Sequence, residues 1–434
     1  MKPKTETRTI AVDAIARVEG GGALSVSFVE GRLSEVQLQI FEPPRLFEAI
    51  LRGRSFTEAP DITARICGIC PVAYQIAAAQ AMEHWCGITL ADSIKALRRL
   101  FMCGEWIASH TIHIYLLHAP DFLGFPGAVE MARVFPWAIE RGLELKRVGN
   151  AIIETLGGRA IHPINLRVGG WYRVPTQEEL TRLRALITRG IELAAETVQW
   201  VSTFSFPSIS IDAPLVALRG DTHYPLIEGQ LSSSTGISIP LESLAEIVTE
   251  EQRPYSTALF ARIEGIPKPY QVGAVARFAL NWDLLPPEVQ TAAVATGVGP
   301  RCRNPFQSIV VRALEVWYAC LEALSIVDNY QELPDAPMAV APHAGTGYGV
   351  VEAPRGVLFH RYRIDDASLI TDALIIPPTS QNQSRMEQDL WEVLSGGAHL
   401  EESDLQHLAE RTIRNFDPCI SCATHFLTLE VNRL

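Results

Sequence analysis

The spacing of apolar residues changes along this chain and marks a switch from strands to helices. Residues 23–29 and 36–40 are alternating or continuous apolar runs, and Glu30-Gly-Arg-Leu33 between them predicts a hairpin turn. Further on, apolar residues recur at spacings of three and four, as on one face of a helix. This spacing predicts three helices, over about 73–85, 93–118 and 129–156.

Turn residues and caps divide the rest of the chain. Thr176-Gln-Glu-Glu179 is a capping box, so we expect a long helix from there to about Ser202. Prolines interrupt the next hundred residues, whereas glycines and short β-type runs fill 338–365. Helical spacing returns at about 305–327, 385–395 and 403–415.

These elements predict a mainly α fold with peripheral β-structure, built around a bundle of long helices. We expect one unit over residues 1–434, with no linker or internal repeat. Its predicted parts are a β-rich start (about 1–60), a helical core (about 61–203 and 300–425) and an irregular β-containing part (about 204–300).

Composition narrows the class of protein. Hydrophobic residues make up 47% of the chain and charged residues only 20%, which favours a large core and excludes a disordered protein. The net charge is −12 without a dense basic run, which argues against a nucleic-acid partner. The sequence contains neither a secretory signal nor an apolar run long enough for a membrane span, so we expect a cytoplasmic protein.

Four of the eight cysteines form two C-x-x-C pairs near opposite ends of the chain, Cys67 with Cys70 and Cys419 with Cys422. Each pair alone is typical of half a zinc site or of a redox dithiol. Together, four soft thiolates suit nickel, iron–sulfur clusters, copper(I) or zinc, and ligand type does not choose among them. The other four cysteines are single and lie in apolar contexts typical of buried small side chains: Cys86, Cys103, Cys302 and Cys320.

The residues around both pairs resemble a known family. Arg65-Ile-Cys-Gly-Ile-Cys70 and Asp417-Pro-Cys-Ile-Ser-Cys-Ala-Thr-His425 resemble the two nickel-binding signatures of nickel–iron hydrogenase large subunits. Similar family motifs recur along almost the whole chain. They are Arg17-Val-Glu-Gly20, Ser109-His110 with His113, Leu117-His-Ala119, His162-Pro163 with Val168-Gly-Gly170, Glu352-Ala-Pro-Arg-Gly356, and a loop of Pro378-Thr379 with Asn382.

The resemblance implies a bimetallic centre. Cys67 and Cys419 would be terminal nickel ligands, with Cys419 also taking part in catalysis, and Cys70 and Cys422 would bridge nickel to iron. In this family the iron carries one carbon monoxide and two cyanide ligands. The alternative is a zinc ion bound by the four thiolates, which would only join the two ends of the chain.

The same resemblance implies roles for neighbouring residues. Glu19 matches the glutamate that receives a proton beside a terminal cysteine, and Arg355 matches the arginine above the open metal positions. Asp417 would orient Arg355. Pro378 and Thr379 would line the diatomic ligands, with Thr379 donating a hydrogen bond to a cyanide.

Further features extend the comparison. Glu48 and His425 resemble the ligands of a buried magnesium (or iron) ion. In the family a maturation endopeptidase cuts after the motif histidine, so residues 426–434 are either a removable tail or a retained one. Tyr74 and Ser109 stand where many relatives have histidine and aspartate, which indicates the soluble, cofactor-coupled branch of sulfhydrogenase-like and NAD(P)-linked enzymes.

The predicted activity is reversible H2 oxidation and proton reduction. The chain lacks a dinucleotide fingerprint and the cysteines for a further cluster, so electrons would leave through an iron–sulfur small subunit and then flavin and NAD(P)-binding subunits. Nickel-insertion proteins would load the metal. The alternatives are an H2 sensor, a maturation-arrested relative, a zinc-bound structural subunit, or a relative of the quinone-site subunit of respiratory NADH dehydrogenase, which lacks the cysteine pairs.

Overall fold

The structure is a computed structural model that describes residues 7–266, 269–331 and 343–424. His425 and the predicted tail therefore lie outside the described residues. The strands are β1 (Thr7–Val12), β2 (Gly22–Val29), β3 (Arg32–Ile40), β4 (Leu166–Arg167), β5 (Gly170–Trp171), β6 (Val216–Arg219), β7 (Gln230–Ser233), β8 (Ser238–Ile239), β9 (Val248–Gln252), β10 (Leu259–Ile263), β11 (Gly345–Ala353), β12 (Gly356–Ile364) and β13 (Ile370–Ile376).

The helices are α1 (Phe47–Leu51), α2 (Ala59–Thr63), α3 (Pro71–Cys86), α4 (Asp92–Ile112), α5 (Ala119–Leu123), α6 (Ala128–Val134), α7 (Pro136–Gly157), α8 (Gln177–Ser202), α9 (Leu241–Ile247), α10 (Ala274–Leu280), α11 (Pro287–Ala295), α12 (Ser308–Asn329), α13 (Pro378–Leu394) and α14 (Glu402–Arg414). The longest run of helices, α1 to α7, lies between β3 and β4. Short 3-10 or π turns lie at Phe56–Glu58, His113–His118, Trp282–Leu284, Pro305–Gln307 and Ile420–Thr424.

The N-terminal hairpin forms where the sequence predicts it. β1, β2 and β3 make an antiparallel sheet, and Glu30 and Gly31 both have positive φ, as a two-residue hairpin turn requires. Leu24, Val26 and Phe28 on alternate positions of β2 are buried in a core shared with α13 and α14. This sheet therefore rests against the C-terminal helices, which lead to the second cysteine pair.

The predicted long helices form the main core. α3, α4, α7, α8 and α12 pack together, and the capping box at Thr176 is present at the start of α8. Pro136 divides the helix predicted over 129–156, because a proline opens α7 at its first position instead of continuing α6. The structure confirms a mainly α fold with small sheets around a bundle of long helices.

The sheet β11-β12-β13 packs on α3 through glycines. A Cβ atom on Gly347 would lie 2.0 Å from the carbonyl oxygen of Ala81, and one on Gly349 would lie 2.1 Å from that of Ala77. Only glycine permits this approach, which explains the alternating glycines of the 343–349 segment. As a result, β11 lies directly against α3.

One expectation near the C-terminus is wrong. Pro378, Thr379 and Asn382, predicted as a loop, form the first turns of α13, which therefore begins earlier than the predicted start near residue 385. Pro378 occupies the first helical position, where its missing N–H has no intrahelical partner to lose. Among the described residues, no helix has the length and apolar character needed to cross a bilayer.

Candidate metal centre

The first cysteine pair lies in a tight loop between α2 and α3. Cys70 directly precedes Pro71, the first residue of α3. The backbone N–H groups of Ile69 and Cys70 both donate to Cys67 Sγ, at 3.3 Å each. The loop therefore curls around the Cys67 sulfur and directs both side chains to the same side.

The second pair follows α14 and a backbone reversal. Asp417 has φ +52°, a left-handed conformation that aspartate tolerates better than most residues. A 3-10 turn then places Cys422 N–H 3.1 Å from the carbonyl of Cys419. Both thiols are buried, and both face the first pair.

The four predicted cysteines converge. The Sγ atoms of Cys67 and Cys419 are 3.4 Å apart, those of Cys70 and Cys422 are 3.9 Å apart, and those of Cys419 and Cys422 are 2.8 Å apart. All four lie within 4.8 Å of one another in the buried interior. Residues from the two ends of the chain thus form one thiolate site.

The four cysteine thiols shift one another's pKa values. Hydrogen bonds from Cys419, Cys422 and Cys70 hold the pKa of Cys67 well below the ordinary thiol value. Burial and the hydrogen bond to Cys422 raise the pKa of Cys419 well above that value. A metal ion that binds all four sulfurs as thiolates therefore displaces protons.

Arg45 joins the two cysteine loops. Its Nη2 donates to the carbonyl oxygen of Ile66 at 2.6 Å and also to that of Ser421. Its backbone N–H donates to Thr424 O at 2.8 Å. The sequence analysis did not identify this residue, because a lone arginine in a connecting segment has no motif of its own.

Glu19 lies beside Cys419. Its Oε2 is 3.1 Å from Cys419 Sγ and accepts from Ser421 N–H at 3.1 Å. Its carbonyl accepts from Ile420 N–H at 2.9 Å, in a bridge parallel to Cys419. The half-buried carboxylate is therefore held against the sulfur by backbone contacts as well as by its own side chain.

Arg355 and Asp417 pair, as predicted. Arg355 lies in the two-residue turn between β11 and β12, where its Nε donates to Asp417 O at 2.9 Å and its Nη2 to Asp417 Oδ1 at 3.2 Å. Nη1 donates to Ser109 Oγ at 3.2 Å. Burial alone would lower the pKa of Arg355, but the charges of Asp417 and Cys419 raise it well above its usual value.

The remaining predicted residues occupy two places. Thr379 Oγ1 accepts from Cys419 N–H at 3.1 Å, so its own hydroxyl hydrogen stays available as a donor, and Pro378 is buried beside it. Glu48 lies elsewhere, on α1, and accepts from Ile375 N–H at 2.7 Å. Its predicted partner, His425, lies outside the described residues.

The sequence did not predict two further carboxylates, the partly buried Glu250 and the fully buried Glu105. Burial raises the pKa of Glu250 to about 8 and that of Glu48 to about 7, and the charge of Glu48 raises the pKa of Glu250 further.

Glu105 accepts from the N–H groups of Val72 and Ala73, at 2.6 and 3.1 Å, and so caps the helix that follows Cys70. A lone acidic residue inside an apolar helix, as at Glu105, is the signal that would have found it.

This geometry defines a buried four-thiolate metal centre with acid–base groups around it. A structural zinc ion bound by four thiolates needs no proton acceptor or cation beside it. Here Glu19 contacts one sulfur, and the charge of Arg355 acts on three of them. Four soft donors with these neighbours fit a redox-active nickel–iron pair.

Comparison with known proteins agrees with this class. A family model described as nickel-dependent hydrogenase matches residues 45–133 and 273–425. Sulfhydrogenase 1 subunit alpha of Pyrococcus furiosus is 32% identical over 426 residues, covering 97% of this chain and 98% of that protein. Sulfhydrogenase 2 subunit alpha of the same organism is also 32% identical over 426 residues, covering 97% and 100%.

Solved structures agree with the sequence relatives. The crystal structure of an NAD+-reducing [NiFe]-hydrogenase in the H2-reduced state superposes with a TM-score of 0.87 at 26% identity, covering 97% of this chain and 100% of that one. The Ni-Fe-Se hydrogenase from D. vulgaris Hildenborough shares the fold, with a TM-score of 0.76 at 22% identity, covering 97% and 100%. The chain belongs to the nickel-dependent hydrogenase family and is the catalytic large subunit of a nickel–iron hydrogenase.

Proposed function

We propose that this subunit catalyses reversible oxidation of H2 to two protons and two electrons. The observation that carries the proposal is the 3.1 Å contact between Glu19 Oε2 and Cys419 Sγ at the edge of the four-thiolate cluster. Splitting H2 requires a proton acceptor next to the reacting centre, and a carboxylate within hydrogen-bonding distance of a metal-binding sulfur meets that need.

The proposed cofactor is nickel with an iron that carries one carbon monoxide and two cyanides. Cys67 and Cys419 would hold the nickel, and Cys70 and Cys422 would hold both nickel and iron. When bound, this group supplies the redox chemistry and polarises H2. Thr379 would donate its hydroxyl hydrogen to a cyanide, next to Pro378.

The chain's own residues would move the proton and orient the site. Cys419 would receive a proton on Sγ and pass it to Glu19, which the N–H of Ser421 keeps in place. Arg355 would remain a cation and keep a fixed orientation beside the cysteine sulfurs, because Asp417 and Ser109 accept hydrogen bonds from three of its five donors. Low exposure of these groups strengthens their electrostatic effect on the reacting atoms.

We also propose a second cation site. Glu48 and His425 would bind magnesium (or iron), and the neighbouring charge of Glu250 would favour a cation there. After nickel insertion, a maturation endopeptidase would act next to His425 and remove residues 426–434. The chain would work as one cytoplasmic unit over its whole length.

Electrons would leave through an iron–sulfur small subunit bound near the first cysteine loop. His162 Nδ1 lies 2.7 Å from Ala64 O, which brings the 159–172 segment next to that loop. Three large apolar side chains on this segment are exposed by 51–65%, which favours a protein partner over solvent: Ile161, Ile164 and Tyr172.

The solved relative with the TM-score of 0.87 is an NAD+-reducing enzyme, and this supports flavin and NAD(P)-binding subunits beyond the small subunit.

Infrared spectroscopy of the purified complex tests the centre. One carbon monoxide band and two cyanide bands, together with H2-dependent reduction of a dye, are the expected result. Stoichiometric zinc without these bands would exclude the nickel–iron proposal. Bands without turnover would instead favour an H2 sensor, the second candidate from the sequence.

A further inference from the structure

Arg277 on α10 is fully buried and uses all five of its donors. Its Nε and Nη2 donate to the two carboxylate oxygens of Glu315, at 3.0 and 2.8 Å, and its Nη1 donates to Glu352 at 2.9 Å. The remaining two N–H groups reach backbone oxygens. These are Ala353 O at 2.8 Å and Pro354 O at 2.9 Å.

Those two carbonyl groups belong to the turn that carries Arg355. Ala353 is the last residue of β11, and β12 starts at Gly356, so Pro354 and Arg355 alone connect the strands. A two-residue turn transmits any rotation of its backbone directly to the side chains it carries. Arg277 therefore fixes the backbone from which the Arg355 guanidinium extends toward the thiolates.

Two glycines bring α10 against the same turn. A Cβ on Gly273 would lie 2.7 Å from Arg355 O, and a Cβ on Gly356 would lie 2.7 Å from Gly273 N. Their φ angles, +106° and +133°, also favour glycine. Arg277 lies four residues after Gly273, one turn further along the helix. Helix α10 therefore contacts the β11–β12 turn through both its backbone and the Arg277 side chain.

The groups around Arg277 are themselves held by further contacts. Its guanidinium lies 4.2 Å from the ring centre of Trp106, whose indole N–H donates to Glu352 O at 2.9 Å. Glu315 also accepts from His110 at 3.0 Å and from Tyr224 at 2.8 Å. A lysine would keep the charge, but it has three donors and no planar fork, so it cannot bridge two carboxylates and two carbonyls.

We propose that Arg277 is a positioning residue for Arg355, through its hydrogen bonds to the Ala353 and Pro354 carbonyls. The inference rests on the proposed function for its effect on turnover, but its effect on the turn is independent of any activity. A matched control exists in Arg98, which is equally buried and forms a two-point ion pair with Glu83 without contacting the turn.

The test compares Arg277→Lys with Arg98→Lys in the purified complex. Amide hydrogen exchange, followed by mass spectrometry on the peptide covering 353–360, measures the turn directly, and nickel and iron content shows that the site still assembles. In Arg277→Lys we expect exchange of this peptide to rise about tenfold with metal content retained. Turnover should fall about 10- to 100-fold, because a small displacement of a group at the reacting centre costs that much.

Arg98→Lys should change exchange only around Glu83 and leave turnover within about twofold of wild type, since it displaces no group at the centre. Glu352→Gln keeps the two carbonyl contacts and should affect the turn less than Arg277→Lys. Unchanged exchange at 353–360 in Arg277→Lys, or a loss of metal and protection equal to that in Arg98→Lys, would overturn the proposal. If wild type shows no turnover while the exchange difference persists, the proposed function fails and the positioning role stands.

Discussion

Glu19 and Cys419 lie side by side in a parallel bridge although 400 residues separate them along the chain. The bridge fixes the backbone of both residues, and Ile420 N–H donates to Glu19 O at 2.9 Å. The carboxylate is therefore held at the sulfur before any metal binds. This relationship makes proton transfer at Glu19 the first point to test.

Glu19→Gln should lower H2 oxidation about 100- to 1,000-fold while nickel content stays near that of wild type. The amide can still accept from Ser421 N–H, so the loop should fold, but it cannot take up a proton at neutral pH. Turnover and elemental analysis of the same samples measure the two effects. Glu387→Gln is a suitable control, because Glu387 is a buried carboxylate that accepts from the N–H of Leu38 and from the side chains of Arg253 and Tyr255. Equal losses in both variants would argue against a relay.

The sequence predicted the residues of the candidate metal centre, but not the residues that hold them in place. Cys67, Cys419, Glu19 and Arg355 belong to motifs that resemble those of nickel–iron hydrogenase large subunits, and it is this resemblance that predicts one shared site. Arg45 acts through carbonyl groups from both ends of the chain, and no local pattern encodes such a contact. The helix period was readable from apolar spacing, whereas the start of α13 at Pro378 was hidden because proline is common both in loops and at first helical positions.

Loss of a terminal thiolate should release the metal. Cys419→Ser replaces a soft donor with a hydroxyl that stays protonated at neutral pH, so we expect nickel content to fall at least about tenfold and turnover with it. Cys320→Ser provides the comparison, since Cys320 is buried but single. Elemental analysis after gel filtration measures both. Normal nickel in Cys419→Ser would refute a role for this sulfur as a metal ligand.

Arg45 should stabilise the joined cysteine loops even without metal. Arg45→Met removes hydrogen bonds to Ile66 O and Ser421 O and leaves both carbonyls without this donor. We expect a loss of about 2–4 kcal/mol in the free energy of unfolding, from two charge-assisted bonds. Denaturant titration of the metal-free chain measures it. The exposed Arg52→Met, which loses only a 3.5 Å contact to Asp372, should change little; similar losses in the two variants would contradict the role.

A divalent cation should stabilise the region of Glu48 and Glu250. Two partly buried carboxylates near each other repel when ionised, and a cation removes that repulsion. Magnesium at about 100 times its dissociation constant should add about 2.7 kcal/mol to the metal-free protein, and the gain should shrink in Glu250→Gln. Thermal unfolding with magnesium or chelator measures this. Glu251→Gln, a neighbouring exposed position, should keep the full gain, and an undiminished gain in Glu250→Gln would remove Glu250 from the site.

The exposed apolar residues of the 159–172 segment provide the last test. Ile161 and Ile164 are more than half exposed, yet a monomeric surface gains nothing from presenting them beside the loop that holds Cys67. If the small subunit covers them, Ile161→Asp with Ile164→Asp should place two charges in a desolvated interface and prevent co-purification, while the metal-loaded large subunit remains folded.

The same change at Val129 and Val134, which are equally exposed on α6, separates a partner surface from general apolar exposure. That double variant should still bring down the small subunit, because α6 is not part of the 159–172 segment. Retention of the partner by the Ile161/Ile164 variant would place the interface elsewhere. Loss of the partner in both variants would mean that negative charge on any exposed apolar patch is sufficient to prevent assembly, and the proposed docking segment would lose its support.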